Sequence, residues 1–346
     1  MPEFTPPKPF LYWLARPLEK ALHIISRIRR SRYEKGKLIH QSLPGIVVSV
    51  GNLAFGGTGK SPVIISLATQ LKNRHKKVAI ITRGYKSGLG KNEAILIYNQ
   101  KTSALLGTPE LTFIHPDEAK MQSEKLKGVP VICGRNRLKA ARMYLAKNTP
   151  PDIWLIDDGM QHLRIRRDVD LVLMDAKYPF GNRRLTSLFQ REPLASLSAK
   201  HTVVFTRANG QTNNSFKNYL SDKNISHTDC PFNYLPPKAI SEVNKAISRP
   251  LLVAAIARPE GILETWPKNT PRPVATLFLK DHERIKPELL QKQLAKQGCD
   301  CIITTEKDFC RDKSVFSELK NPTYLLPIEA EVAHILTALK AKEINL

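Results

Sequence analysis

Hydrophobic positions along the chain follow two patterns that alternate. Runs of mostly apolar or small residues, such as Ile46–Val50 and Val78–Thr82, predict strands that are covered on both faces. Segments in which apolar residues recur every three or four positions, such as the one from Val63 to Leu71, predict amphipathic helices. Further strands are predicted at Ile95–Tyr98, Thr112–Ile114, Val129–Cys133, Ile153–Ile156, Asp170–Asp175 and Thr202–Thr206, and a further helix at Arg135–Leu145.

A second, shorter series of the same kind begins at Leu251. Its predicted strands are Leu251–Ile256, Val274–Leu279, Cys301–Thr305 and Tyr324–Leu326, and its helices start near Pro259, at Pro287 and over Glu329–Lys342. Residues 207–245, between the two series, are polar and indicate peripheral structure or a connection. Because strands that alternate with helices form parallel sheets covered on both faces, we expect an α/β fold with two α/β/α units.

The segment before the first strand has a different pattern. An apolar stripe at helical spacing shares residues 10–32 with many basic side chains, and we expect Pro17 to split this helix or to begin its main part. The stripe consists of Leu11, Leu14, Leu18, Leu22, Ile25 and Ile28, and the basic residues are Arg16, Lys20, Arg27, Arg29, Arg30 and Arg32. The pattern fits an interfacial helix on anionic lipid and an ordinary packed helix with a solvated basic face about equally well.

These patterns predict three regions along the chain. Residues 1–40 form an N-terminal amphipathic segment, residues 41–245 the larger α/β/α unit, and residues 246–346 the smaller one. No apolar run approaches the roughly 20 residues that a membrane span needs. Five cysteines without a Cys-x-x-Cys pair indicate free thiols rather than a metal site.

Charge restricts the class of partner. Fifty-four Lys and Arg residues against 31 Asp and Glu residues give a net charge of +23 over 346 residues. An excess of this size indicates an anionic partner, which can be nucleic acid, an acidic membrane or a phosphorylated substrate. Composition alone does not choose among these three.

The clearest chemical motif follows the first predicted strand. Gly56-Gly57-Thr58-Gly59-Lys60-Ser61 connects Ile46–Val50 to a helix, which is the layout of a phosphate-binding loop. We predict that Gly56, Gly57, Thr58, Gly59 and Lys60 bind phosphate groups and that Ser61 ligates Mg²⁺. The strict motif fails at Ala54, where it requires glycine, so a glycine-rich turn that resembles the motif by chance is the alternative.

Acidic residues stand at two further positions. Asp157 and Asp158 directly follow a predicted strand, which favours a Mg²⁺ site beside the phosphate loop, with a capped turn as the alternative. Asp117 and Glu118 open a predicted helix, and on pattern alone N-terminal capping is the better explanation for them.

Six short motifs along the chain give a more specific indication of its function. They are Val50-Gly51-Asn52 with Gly57-Thr58-Gly59-Lys60-Ser61-Pro62, Thr82-Arg83-Gly84-Tyr85, Asp157-Asp158-Gly159-Met160-Gln161-His162, Arg191-Glu192-Pro193-Leu194, Asp281-His282 and Thr305-Glu306-Lys307-Asp308. With these motifs the chain resembles the tetraacyldisaccharide 4′-kinase family, the lipid A kinases of Gram-negative bacteria, over nearly its whole length.

The resemblance implies a P-loop NTPase-type kinase core and a specific reaction. The γ-phosphoryl group of ATP passes to the 4′-hydroxyl of an acylated glucosamine disaccharide 1-phosphate, which forms lipid IVA at the cytoplasmic face of the inner membrane. By resemblance Asp117 is the base, supported by His282, while Lys60, Asp157 and Asp158 act in catalysis. Mg²⁺ has Ser61, Asp157, Asp158 and Glu118 as its expected ligands. The expected partners are ATP, the lipid substrate and the anionic membrane surface.

The chain departs from the family pattern at several positions. Ser61 stands where the family commonly has Thr, and both residues supply a hydroxyl group. Pro116-Asp117-Glu118-Ala119 replaces Gly-Asp-Glu-Pro, and Asp281-His282-Glu283 replaces Asp-His-His. The loop before Arg191 is also built differently, since Gly181-Asn182-Arg183 and Leu188-Phe189-Gln190 replace Gly-Asn-Gly and Pro-Ala-Gly.

Two functions from other classes compete with the kinase. A P-loop ATPase or regulatory switch that binds nucleic acid would explain the charge, but the chain has no Asn-Lys-x-Asp guanine-reading sequence and no recognisable nucleic-acid-binding module. A membrane-associated scaffold would leave the phosphate loop and Asp157-Asp158 unexplained. We therefore expect a kinase whose partners do not include nucleic acid.

Overall fold

The computed structural model describes residues 10–54, 57–84, 89–90, 93–99, 101–106, 117–179, 190–210, 212, 214–240 and 246–344. The chain divides into two compact units, of which the first comprises Met1–Pro231 and Glu331–Leu346 and the second Phe232–Ala330. The predicted strand Thr112–Ile114 lies outside the described residues. No helix in the described part of the chain is both long enough and apolar enough to cross a bilayer.

A nine-stranded sheet forms the centre of the first unit. Its strands are β1 (Ile46–Asn52), β2 (Val78–Thr82), β3 (Ala94–Tyr98), β4 (Lys101–Leu106), β5 (Val131–Cys133), β6 (Ile153–Asp157), β7 (Val169–Asp175), β8 (His201–Thr206) and β9 (Ser226–Cys230). They lie in the order β4-β3-β5-β2-β6-β1-β7-β8-β9. All neighbours from β5 to β9 are parallel, whereas β3 is antiparallel to both β4 and β5.

Helices of the first unit connect these strands. They are α1 (Phe10–Glu34), α2 (Lys60–Asn73), α3 (Asp117–Lys125), α4 (Arg137–Leu145), α5 (Asn214–Asp222) and, after the second unit, α10 (Ala333–Lys340), with a 3-10 turn at Leu194–Ser196. The apolar positions predicted for α2, from Val63 to Leu71, are buried. Strands β1, β6 and β7 are almost wholly buried, as their apolar runs predict.

The second unit has a smaller sheet of its own. Its strands are β10 (Phe232–Tyr234), β11 (Lys238–Ala239), β12 (Pro250–Ala254), β13 (Ala275–Phe278), β14 (Cys301–Thr305), β15 (Thr323–Leu326) and β16 (Ile328–Ala330). Its helices are α6 (Gly261–Glu264), α7 (Pro287–Gln297), α8 (Glu306–Arg311) and α9 (Lys313–Glu318). The order is β11-β15-β14-β12-β13, and β10 pairs separately with β16. Leu251 and Leu252 belong to different core clusters, so both faces of this sheet are covered.

Two local predictions are wrong, and the prediction of peripheral structure or a connection for residues 207–245 omits a helix and a strand. Helix α1 runs through Pro17 without a break, because a proline removes one backbone hydrogen bond and the long segment after it sustains the helix. Residues 207–245 contain α5 and β9, and β9 extends the main sheet. Its sequence, Ser-His-Thr-Asp-Cys, forms a half-exposed edge strand and therefore has no apolar run. The start of the predicted helix Glu329–Lys342 is strand β16, which pairs with β10.

The division of the chain also differs from the predicted regions. The second unit spans Phe232–Ala330 rather than 246–346, and the residues after Ala330 belong to the first unit. Helix α10 packs against β9, and the backbone N–H of Glu331 donates to the carbonyl of Pro231 at 2.9 Å. The alternation of strands and helices does not reveal a return of this kind, because it says nothing about which sheet a helix covers.

Candidate active site

The phosphate loop connects β1 to α2. Gly59 adopts φ 82° directly before the helix starts at Lys60, a left-handed conformation that glycine adopts without strain. The end of β8 holds this loop, because the Thr206 hydroxyl donates to the Thr58 carbonyl at 2.9 Å. The Arg207 guanidinium donates to the Gly57 carbonyl at 3.1 Å. Among the predicted loop residues, Gly56 lies outside the described residues.

Lys60 lies between the strand end and the acidic pair. Its ammonium group donates to Asn52 Oδ1 at 3.3 Å and lies 3.5 Å from Asp158 Oδ1. Ser61 follows in the first turn of α2, partly exposed. The hydroxyl of Thr58 is buried and has no hydrogen-bond partner within the described residues. The loop therefore presents a cation and polar groups at one helix N-terminus, where an anion is stabilised.

Asp157 is the last residue of β6 and is 3% exposed. Its position next to β1 is set by the register, since Val50 and Asp157 are partners in the parallel pair. The Gln122 amide donates to Asp157 Oδ2 at 3.1 Å. Burial, reinforced by the charge of Glu118, raises the pKa of Asp157 to about 6. Glu118 and Gln122 stand one turn apart on α3, so this helix presents both side chains on one face.

Asp158 has the opposite electrostatic environment. Burial favours a higher pKa for this carboxyl group, but Lys60 and Arg191 outweigh it and lower the pKa below its usual value. Arg191 Nη1 lies 2.7 and 2.8 Å from the two carboxylate oxygens of Asp158. The backbone of Asp158 has φ 52°, a conformation that residues other than glycine rarely adopt and that recurs at functional sites. Two adjacent carboxylates thus have pKa values shifted in opposite directions.

The turn after Asp158 is held against the phosphate-loop strand. A Cβ atom at Gly159 would lie 2.5 Å from Ser49 Oγ, and one at Gly51 would lie 2.6 Å from the Cβ of Met160. The Gln161 amide donates to the Asn52 carbonyl at 3.1 Å. This close approach requires glycine on both segments. The second half of the Asp-Asp-Gly-Met-Gln-His motif therefore fixes the acidic pair relative to the loop.

Arg137, at the start of α4, secures the same turn from the other side. It is 6% exposed, and its Nη2 donates to the carbonyls of Asp157 and Asp158 at 3.0 and 3.2 Å. Burial lowers the pKa of Arg137. Burial and the charge of Arg137 lower the pKa of His162 to about 3, so this histidine is neutral at physiological pH.

The oxygen-rich donor set suits Mg²⁺ only together with a nucleotide. Within the described part of the chain, no three His, Cys, Asp or Glu side chains converge closely enough to hold a metal ion by themselves. The Ser61 hydroxyl and the carboxylates of Asp157, Asp158 and Glu118 are all oxygen donors, which Mg²⁺ prefers. Mg²⁺ at phosphoryl-transfer sites commonly uses one or two carboxylates and completes its shell with substrate phosphates and water. The residues present fit that arrangement.

His282 belongs to the second unit. Its backbone has φ 62°, and its N–H donates to the Ala255 carbonyl at 3.1 Å. Its Nε2 lies 3.3 Å from the Lys307 ammonium and 3.9 Å from Asp281 Oδ1. Asp308, which is fully buried, accepts the N–H of Ala255 at 3.0 Å. The Thr-Glu-Lys-Asp motif therefore positions the loop on which the imidazole is presented.

The base predicted by resemblance, Asp117, is the first residue of α3, and its side chain lies outside the described residues. Asp117 belongs to the first unit and His282 to the second. The structure therefore brings Lys60, Asp157 and Asp158 together with Gly57–Ser61, whereas joint action of Asp117 and His282 stays a prediction.

The chain matches a known protein family over nearly its whole length. The family model described as Tetraacyldisaccharide-1-P 4'-kinase matches residues 11–344. The chain belongs to this family. A tetraacyldisaccharide 4'-kinase of Halothermothrix orenii is 31% identical over 346 residues, covering 90% of this chain and 87% of the relative. The enzyme of the same name from Geobacter sulfurreducens is 31% identical over 288 residues, covering 82% and 80%.

A solved structure agrees with the fold. The crystal structure of the "apo" form of LpxK from Aquifex aeolicus in complex with ATP has a TM-score of 0.67 and 21% sequence identity to the chain. The match covers 96% of this chain and 99% of that one. The predicted α/β fold class with a P-loop kinase core, the family resemblance and the assignment as a kinase are confirmed. The rival function as a nucleic-acid-binding ATPase finds no support in these comparisons.

Four residues that contact the candidate site were not predicted from the sequence as site residues: Gln122, Arg137, Arg191 and Arg207. Arg207 follows β8, and Arg137 begins the helix after β5. Ligands of open parallel sheets bind beyond the carboxyl ends of the strands, so a search at every strand end would have found these two. Arg191 lies in a motif of the resemblance but had no assigned role. Gln122 has no signal in the sequence beyond its spacing from Glu118.

Proposed function

We propose that the protein uses ATP with Mg²⁺ to phosphorylate the 4′-hydroxyl of an acylated glucosamine disaccharide 1-phosphate at the cytoplasmic face of the inner membrane. The observation that carries the proposal is that Lys60 and the Asp157-Asp158 pair meet beside a phosphate loop, in a chain of this kinase family. The names of the relatives and the ATP complex of the Aquifex aeolicus protein support the substrate and the nucleotide.

The residues of the loop bind and orient the nucleotide. Backbone N–H groups of Gly57–Gly59 and the ammonium group of Lys60 hold the phosphates, while Ser61, Asp157, Asp158 and Glu118 are the ligands available to Mg²⁺. Magnesium, when bound, neutralises charge on the phosphates during transfer. Arg191 keeps Asp158 ionised and oriented, and Arg137 keeps the backbone of the acidic pair in place.

Deprotonation of the acceptor is assigned by resemblance. Asp117 takes the proton of the 4′-hydroxyl as that oxygen attacks, and His282 supports it. A carboxylate and an imidazole that act on one proton form a coupled pair, so the observed pKa is a property of the pair and not of either residue. The hydrogen bond of His282 to Ala255 and its proximity to Lys307 support this role, because they fix the imidazole on an ordered loop.

The orientation of α1 supports contact with the membrane. Among its described side chains, Glu19 and Arg30 face the rest of the first unit, where Glu19 accepts the Gln190 N–H at 3.0 Å and Arg30 donates to Glu192 at 2.5 Å. Four apolar side chains point outward, since Leu18, Ile24, Ile25 and Ile28 are between 55% and 64% exposed. A helix packed in the ordinary way buries its apolar stripe. The reversed arrangement suits a helix that lies on lipid with basic residues at its edges.

An assay of phosphoryl transfer tests the proposal. Wild-type protein is mixed with radiolabelled ATP and the disaccharide 1-phosphate lipid in neutral detergent micelles, and labelled lipid is separated by chromatography. We expect transfer by the wild type and a loss of at least 10²-fold in kcat for Lys60→Ala, since a charge that stabilises the transition state contributes on the order of 3 kcal/mol. Lys72→Ala, an exposed position on the same helix, is the matched control. If Lys60→Ala turns over at the wild-type rate, the assignment of residues 57–61 as the phosphate-binding loop is refuted.

A further inference from the structure

A second pocket lies in the first unit, away from the nucleotide site. Its volume is about 1330 Å³, and its walls come from the end of α1, residues 36–42, Leu163, residues 166–168, Asp170, residues 193–201 and residues 341–343. We call it the basal pocket. It lies at the amino ends of the strands, since residues 163–170 lead into β7 and residues 193–201 lead into β8.

The basal pocket and the nucleotide site are lined by different residues. Lys60 and Asp158 follow the carboxyl ends of β1 and β6, and neither lines the basal pocket. The pocket wall does extend toward that end of the sheet, because Arg167 donates to the carbonyls of Gly159 and Met160 at 3.0 and 3.1 Å. A group bound in the basal pocket therefore contacts side chains other than those that hold the nucleotide phosphates.

The charge of the pocket walls favours an anion. Six cationic side chains (Arg27, Arg30, Arg166, Arg167, Lys200 and Lys342) line the pocket against four acidic ones (Glu34, Asp168, Asp170 and Glu343). Two of the acidic groups are engaged, because Asp170 pairs with Arg167 at 3.1 Å and Asp168 accepts the Val47 N–H at 2.8 Å. Three of the cations are engaged too, since Arg30 pairs with Glu192, Arg167 with Asp170, and Lys342 donates to the His201 carbonyl. Arg27, Arg166 and Lys200 are exposed, and their side chains have no polar partner in the part of the chain that the structure describes.

His201 adds a buried donor to the pocket wall. It is 3% exposed, and its Nδ1 accepts the Ser198 N–H at 3.1 Å. Burial lowers the pKa of His201 to about 4, so the ring is neutral. Because Nδ1 accepts the Ser198 N–H, the ring proton is assigned to Nε2. Nε2 has no hydrogen-bond partner among the described residues. Nε2 is itself buried, so the pocket offers a ligand its exposed cations rather than this N–H.

The rim of the pocket joins the apolar face of α1. Ile39, which lines the pocket, is 81% exposed, and Ile28 on the outward face of α1 is 55% exposed. A ligand that is anionic at one end and apolar at the other matches both features. We propose that the basal pocket binds the phosphate headgroup of an anionic membrane phospholipid while its acyl chains lie along α1. The proposal rests on the membrane location given under the proposed function and adds a specific headgroup site to it.

Charge-reversed variants distinguish a pocket from general attraction to the membrane. Arg166→Glu with Lys200→Glu changes two pocket residues, and Arg164→Glu with Lys223→Glu makes the same change at exposed positions outside the pocket. Both pairs change the net charge equally, so attraction to a charged surface falls similarly in the two. Sedimentation with vesicles of phosphatidylcholine and phosphatidylglycerol measures the binding. We expect the pocket pair to bind at least tenfold more weakly than the control pair, and equal binding by the two pairs would overturn the proposal.

Two further experiments identify the ligand and exclude misfolding as the cause of weaker binding. Calorimetric titration with inorganic phosphate is expected to show only millimolar binding. Submicromolar binding of free phosphate to the wild type would replace the lipid with a soluble ligand and so overturn the assignment. The neutral pair Arg166→Gln with Lys200→Gln, checked by circular dichroism, is expected to lose binding in the same direction with an unchanged fold. Retention of wild-type vesicle binding by this folded pair would count against the pocket.

Kinase turnover separates this proposal from the proposed function. In neutral detergent micelles without phosphatidylglycerol, all of these charge variants are expected to turn over at the wild-type rate, because none of the changed residues lies at the nucleotide site. Lys60→Ala is expected to lose turnover and still bind vesicles as the wild type does. If the vesicle experiment refutes the headgroup site, the kinase assignment is unaffected. If the turnover experiment refutes the kinase assignment, the vesicle experiment still tests the headgroup site.

Discussion

Asp157→Asn is expected to make the protein more stable while it removes activity. The pKa of Asp157 rises from 3.8 to about 6 because the side chain is buried beside Glu118. Between these two values the native state holds a proton that the unfolded state has released, so the free energy of unfolding falls as pH rises through this window. At about 1.4 kcal/mol per pH unit, the ionised carboxylate costs about 3 kcal/mol at pH 7 and above.

Asparagine keeps the shape of the side chain and cannot ionise. Without nucleotide, we therefore expect Asp157→Asn to raise the free energy of unfolding by up to about 3 kcal/mol at pH 8 and by close to nothing at pH 4. Urea denaturation at several pH values, followed by circular dichroism, measures the difference between variant and wild type. Radiolabelled-ATP assays on the same samples are expected to show loss of turnover.

The neighbouring carboxylate provides a control of opposite sign. Lys60 and Arg191 lower the pKa of Asp158, so its ionised form stabilises the native state above its unfolded pKa, and this stabilisation is lost as pH falls through the lowered value. Asp158→Asn is therefore expected to destabilise the protein at neutral pH. If both variants change stability in the same direction at pH 8, or if Asp157→Asn gains nothing between pH 4 and pH 8, the electrostatic reasoning for this site is refuted.

Two further predictions concern the proposed base and the membrane. Asp117→Asn and His282→Ala should each lower kcat strongly, and the double variant should cost far less than the product of the single effects; fully multiplicative losses would show that the residues act separately. Ile25→Asn with Ile28→Asn removes outward apolar surface of α1 and should weaken binding to anionic liposomes roughly 30-fold, or by about 2 kcal/mol. Val274→Asn, an exposed apolar position in the second unit, should leave it unchanged; an equal loss there would refute the role of α1.

The sequence predicts those parts of the fold that depend on local pattern. Strands β2 and β14 match their predicted bounds because each is a short apolar run that the sheet buries. Strand β9 escapes prediction because it lies at the sheet edge, where half-exposed polar residues are tolerated. The proximity of Lys60 to Asp158 also follows from local signals, since both residues stand just beyond the carboxyl ends of neighbouring parallel strands.

Contacts that depend on topology were not predictable in the same way. Arg191 meets Asp158 across 33 positions of sequence, and Arg207 reaches the Gly57 carbonyl across 150. Neither contact has a periodicity or spacing that a single sequence reveals. The outward orientation of the apolar face of α1 likewise depends on its polar contacts with residues 190 and 192. The sequence alone therefore did not distinguish an interfacial helix from an ordinary packed helix.

The return of the chain to the first unit after Ala330 has a consequence for biosynthesis. The second unit is continuous in sequence and can complete its folding on the ribosome as soon as residues 232–330 have emerged. The first unit cannot, because α10 and the bond from Glu331 to Pro231 come last. During synthesis, β9 therefore stays without its covering helix while the inserted segment is translated.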